Sequence, residues 1–160
     1  MKRRELFPIL GAGIAWGQPS QTPRFFTAEQ YRTVVAVADT LLPDDGDIPG
    51  AVRAGAPWFI DTTLFYVPTA RQAWLEGLEA VDGEAQREYG KKFAELSEAE
   101  RIAVMERFSQ REDQPQTAGE HFFVLARRQV LEAWLLSEAG QRQGLRYRGN
   151  TAVEEFPPAD

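Results

Sequence analysis

The chain has 160 residues, 43% of them hydrophobic and 26% charged, with a formal net charge of −6. That length suits a single domain, the balance is that of a folded globular body, and the acidic excess repels phosphate backbones, which argues against nucleic acid as a partner. With no cysteine and one histidine, His121, disulfides, thiolate zinc and iron–sulfur sites, c-type haem attachment and any multi-histidine metal centre are excluded.

The first residues place Lys2, Arg3 and Arg4 ahead of Leu6 and Phe7, followed by an apolar, glycine-bearing run to Trp16. This is the order of a basic region and a short hydrophobic region in an export signal. Paired arginines before a bulky apolar pair resemble a twin-arginine signal, an address read by a receptor for proteins that cross a membrane already folded. Arg3, Arg4, Leu6 and Phe7 are its candidate determinants. The run falls well short of the roughly 20 apolar residues that span a bilayer. Residues 17–24, GQPSQTPR, are polar and proline-bearing and read as a linker. The expected organisation is signal and linker over 1–24, a helical domain over 25–145 and an irregular arm over 146–160.

Thr27 and Gln30 have the spacing of a capping box, and Tyr31, Val34, Val35, Ala38, Leu41 and Leu42 then recur at three- and four-residue steps. The spacing predicts a helix that Pro43 stops. The stretch PDDGDIPGAVRAGAP is dense in turn formers and predicts a loop, then a helix over Trp58 to Leu64. A longer helix is expected from about Thr69 to Phe93, carrying Trp74, Leu75, Leu78 and Val81, with Asp82-Gly83 as a candidate break. Capping boxes at Ser97/Glu100 and Thr117/Glu120 open two more helices, the second running to about Glu138 with Gly140 as its stop. Phe122, Leu125, Val130, Leu131 and Trp134 are its expected buried side. No strand alternation of useful length appears, so the fold class is all-α: a compact, irregular domain of about five helices with an extended C-terminal arm.

Candidate chemistry is sparse. Asp44, Asp45 and Asp47 surround Gly46, but twelve residues on, where an EF-hand needs its glutamate, stand Gly55 and Ala56, so a solvated turn is the stronger reading. Glu120 and His121 are adjacent on a helix and point about 100 degrees apart, which suits a helix start better than acid–base work. Trp58, Phe59, Phe65, Tyr66 and Trp74 are dense enough to be mainly core. Phe65, Tyr66 and Val67, at a helix end before Pro68, are the first candidates for a partner surface.

The runs FFTAEQYRTVVAVADTLLPDDGDIPGAVRAGAPWFID, YGKKFAELSEAER, HFFVLARRQVLEAWLLSE and YRGN resemble the small subunit, subunit 3 or gamma, of the membrane-bound gluconate 2-dehydrogenase family. The similarity covers Phe25 to about Asn150, and ADTLLPDDGDIPGA with Phe59-Ile60-Asp61 is its most specific part. The resemblance implies a non-catalytic subunit of an FAD-dependent dehydrogenase of the glucose-methanol-choline type, acting on a sugar, sugar acid or polyol. It also implies a c-type cytochrome subunit that takes the electrons, and a signal that exports the folded large subunit as a passenger to the periplasmic side. No catalytic, cofactor or metal residue carries over to this chain. Tyr147 and Asn150 of YRGN join Phe65, Tyr66 and Val67 as interface candidates, and without cysteine any attachment is non-covalent. Two other classes stay open from sequence: a small independent enzyme using His121, Glu120 or the Asp44 to Asp47 loop, and a helical binding module for another envelope protein.

Overall fold

The computed structural model describes residues 22–146. The signal candidates Arg3, Arg4, Leu6 and Phe7, the interface candidates Tyr147 and Asn150, and the arm from residue 147 onward lie outside the described residues.

Helix α1 (Ala28–Leu41) opens on the expected box, with Thr27 Oγ1 accepting from Gln30 N–H and Gln30 Oε1 accepting from Thr27 N–H. These two bonds satisfy donors that the first turn leaves free. Its inner face is Thr33, Val34, Ala36, Val37 and Ala38. The acidic turn that follows is closed by its own backbone: Asp45 and Ile48 exchange both N–H···O bonds, at 3.0 and 2.9 Å. Gly50 is required there, since a Cβ would lie 2.4 Å from the Pro43 carbonyl carbon. Trp134 Nε1–H donates to Pro49 O at 2.7 Å and ties this loop to the last helix.

Helix α2 (Ala56–Tyr66) starts after Gly55, whose φ of +84° suits a residue without Cβ, and runs two residues beyond the expected span at each end. A 3-10 turn over Pro68–Ala70 leads into α3 (Arg71–Tyr89). Two expectations are corrected here. Asp82-Gly83 does not break α3, and the helix ends before Phe93, because Gly90 turns it off in a left-handed conformation, φ +67°. Asp82 instead accepts the Phe93 N–H at 3.0 Å, and Phe93 is fully buried in a 3-10 turn over Phe93–Glu95.

Helices α4 (Glu98–Ser109) and α5 (Ala118–Leu136) open on the expected boxes at Ser97 and Thr117. Helix α5 ends at Leu136 with Ser137 as its cap, close to the expected end, but Gly140 begins a π turn over Gly140–Gly144 rather than capping the helix. Leu131, expected inside, is 46% exposed, whereas Phe122, Phe123, Ala126, Val130 and Ala133 form the buried stripe. The fold is all-α, and the described residues contain no strand beyond the Asp45–Ile48 bridge.

Helices α3 and α5 pack on each other at the centre, with α1, α2 and α4 around them. Trp74 on α3 meets Phe122 on α5 edge to face at 5.1 Å and Phe26 at 5.8 Å, and its Nε1–H donates to Gln129 Oε1 at 2.7 Å. Gly77 makes that contact feasible, because a Cβ would lie 2.0 Å from the Phe122 ring. Buried aromatics of this kind contribute roughly 1.5–3 kcal/mol each relative to exposure.

Candidate functional site

Helix α2 has the sequence APWFIDTTLFY, with one charged residue, Asp61. Ala56, Pro57, Ile60, Asp61 and Leu64 face inward, and none of them is more than slightly exposed. The other side carries Phe59, Phe65 and Tyr66 with Val67 just beyond the helix, exposed by 44, 44, 66 and 50%. A residue type that water disfavours thus fills the solvent side of a short helix. Between this side and the end of α5 runs an open groove of about 640 Å³, walled by Trp58, Phe59, Tyr66 and Val67 on one side and Ala133 and Leu136 on the other. Leu136 is itself 60% exposed. Thr62 also lines the groove, and its buried hydroxyl oxygen has no hydrogen-bond partner among the described residues.

Arginines border the face. The Arg24 guanidinium donates to the Tyr66 hydroxyl at 2.9 Å and lies 5.7 Å from the Trp58 ring centre. Arg71 donates through Nε and Nη2 to the Leu64 and Phe65 carbonyl oxygens, both at 2.6 Å, which satisfies acceptors that the end of α2 leaves free. The same guanidinium lies 5.2 Å from the Phe25 ring centre. An uncharged aromatic face edged by cations therefore stands on a chain of net negative charge.

Asp61 explains how the entering chain is held against α2. Its carboxylate is fully buried and accepts three successive backbone N–H groups: Arg24 on Oδ2 at 2.7 Å, and Phe25 and Phe26 on Oδ1 at 3.1 and 3.0 Å. Consecutive N–H groups converging on one anion form a concave nest, here filled by the protein's own side chain. Burial, and secondarily the Asp61 charge, push the Tyr31 hydroxyl above its ordinary pKa.

The other sequence candidates serve structural ends. Asp44 accepts the Gly50 N–H at 2.6 Å and an Arg53 Nη1–H at 3.0 Å, and the Gly50 bond foremost holds its carboxyl below the usual range. No group of three His, Asp or Glu side chains among the described residues is arranged to hold a metal ion. Glu120 accepts the backbone N–H groups of Gln116 and Thr117, at 2.7 and 3.0 Å, and these bonds keep its carboxyl low. It is occupied as a cap, with exposed His121 at the next position. Asp82, raised chiefly by burial, lies away from the groove, whose lining contains one titratable side chain, Tyr66.

The structure thus leaves Phe65, Tyr66 and Val67 exposed and puts Tyr66 and Val67 in a groove with Phe59; of the five aromatics expected to be mainly core, only Trp74 is buried there, because the other four lie on the outer side of α2 or at its groove. Sequence reasoning missed Ala133 and Leu136, because they join the face only through the packing of α5 on α2.

Comparison with curated proteins and with solved structures gives no match. A family model described as gluconate 2-dehydrogenase subunit 3 matches residues 28–151, and the chain belongs to that family.

Proposed function

From that membership we propose that the chain is a non-catalytic small subunit. It binds, stabilises and escorts for folded export an FAD-dependent dehydrogenase of the glucose-methanol-choline type that oxidises a sugar, sugar acid or polyol. The observation that carries the reading is the uncharged aromatic side of α2, bordered by Arg24 and Arg71. Interface cores are depleted in charge and enriched in aromatic residues and arginine, and a groove that seats a few large anchors concentrates binding energy. In this reading Phe59, Phe65, Tyr66, Val67 and Leu136 meet the large subunit, and Tyr147 and Asn150 extend the contact.

The flavin belongs to the partner, and a c-type cytochrome subunit takes its electrons. Nothing in this chain is asked to touch either. Arg3, Arg4, Leu6 and Phe7 engage the twin-arginine export machinery, which suits a partner that folds around FAD before crossing, and they deliver the complex to the periplasmic side. The test is affinity purification of the tagged native protein from its envelope fraction, with a visible absorption spectrum and mass spectrometry of what accompanies it. The expected result is a large flavin-bearing dehydrogenase. A lone, colourless protein after gentle extraction overturns the reading, and a large subunit that still crosses when Arg3 and Arg4 are both changed to Lys overturns the escort role.

A further inference from the structure

The chain enters the fold at the rim of the groove. Backbone N–H groups of Arg24, Phe25 and Phe26 are fixed on Asp61, and the Arg24 side chain is fixed on Tyr66 and over Trp58, two of the groove's own walls. Whatever precedes Arg24 therefore starts beside an apolar channel. Residues 6–16, LFPILGAGIAW, contain no charged side chain, and seven residues, 17–23, separate them from Arg24. At about 3 Å per residue for an extended, proline-bearing spacer, those seven reach roughly 20 Å. The eleven residues of α2 that form the groove's length rise about 16 Å. The apolar stretch can therefore be delivered anywhere along it.

We propose that residues 6–16 dock in cis in the groove between α2 and α5. The chemistry of the two surfaces agrees: an uncharged apolar segment meets Phe59, Tyr66, Val67 and Leu136. A short tether sets an effective concentration in the millimolar range, so even a weak apolar contact keeps the groove filled while it is unchallenged. One consequence rests on the function proposed above. If the same groove seats the large subunit, the partner must displace the segment to bind, and the paired arginines next to it come free when the complex forms.

The test uses the isolated full chain, so its failure leaves the partner reading standing, and failure to purify a flavoprotein leaves this one standing. The protein has no native cysteine, so an engineered pair reports proximity without background. Ile14→Cys is combined either with Thr63→Cys, in the groove, or with Gln86→Cys, exposed toward the far end of α3. Under mild oxidation the 14–63 pair should close within one chain about tenfold faster than the 14–86 pair. Equal rates overturn the proposal, and so does a disulfide-linked dimer at 14–63, which would give the groove to a second copy. A second readout leaves the domain unaltered: Leu10→Asp in the full chain should raise hydrogen exchange at the Tyr66 and Val67 amides several-fold. Unchanged exchange there also overturns it.

Discussion

Helices α2 and α4 are nearly the same length, eleven and twelve residues, and both pack on α1 and α5. Their inner sides are alike, Ile60 and Leu64 on one and Val104 and Met105 on the other. Their outer sides are not. Helix α4 shows solvent Glu98, Glu106 and Arg107, and Arg107 reaches Glu84 and Glu88 on α3 at 2.8 and 3.0 Å. Its one exposed large apolar side chain, Ile102, is set between the charges of Glu98 and Glu106, as single surface hydrophobics commonly are. Helix α2 shows Phe59, Phe65 and Tyr66 with no exposed charge. Folding asks only for the inner sides. The outer side of α4 is what water selects, so the outer side of α2 answers to something other than water or the fold.

The comparison breaks most strongly from the inside of α2. Asp61→Ala should cost about 3 kcal/mol in chemical denaturation, because three backbone N–H groups lose their shared acceptor and at least that of Phe26 is buried. Asp61→Asn keeps one acceptor oxygen and should lose about half as much. A loss below about 1 kcal/mol for the alanine variant would mean that the entering segment is not tied to α2, and the positioning of Arg24 at the groove would fall with it.

The same contrast shows which features were legible in sequence. The starts of α1, α4 and α5 were, because a capping box needs only residues three apart, and each of Thr27, Ser97 and Thr117 forms both of its bonds. The end of α3 was not. Asp82-Gly83 is a strong turn dipeptide taken alone, but the Asp82 carboxylate is engaged eleven residues away on Phe93 N–H, and Gly90 supplies the actual stop. Asp61 is the one charged residue of an aromatic-rich helix, and its partners lie 35 to 37 residues earlier, beyond the reach of local spacing. Tyr66 and Val67 of the groove could be read from LFYVP, whereas Trp58 and Phe59 were expected in the core and Ala133 and Leu136 arrive through tertiary packing.

A smaller effect is expected from the charged coat of α4. The hydrogen bond from Arg107 foremost holds the Glu88 carboxyl below its ordinary range, in spite of burial, which raises it; at Glu84 the Arg87 bond comes first and Arg107 adds to it. A depressed carboxyl stabilises the fold above its unfolded pKa and loses that contribution as pH falls through the folded value. Arg107→Met should therefore lower Tm by about 2 °C at pH 7, and the gap to the wild type should begin to narrow as pH falls to the ordinary carboxylate value of about 4.3 and close once the lower folded values are passed. A gap that persists once both carboxyls are protonated would show that Arg107 acts through the packing of its stem rather than through charge, and α4 would then differ less from α2 than its composition suggests.

The smallest effect on stability is expected where the largest effect on binding lies. Phe59→Ser and Tyr66→Ser remove exposed aromatic area and one surface hydrogen bond from Arg24, so each should change folding stability by no more than about 0.5 kcal/mol. Together they should abolish copurification of the proposed flavoprotein partner, while Ile102→Ser on α4, at a comparable exposure of 40%, should leave it intact. The pairing separates two explanations that composition alone leaves tied. If the α2 variant keeps its partner, its aromatics are scattered surface hydrophobics like Ile102. If both variants lose it, nonspecific apolar adhesion rather than a formed face holds the complex. Loss on α2 alone, with the thermal melt unmoved, assigns the outer side of α2 to the partner and the inner side to the fold.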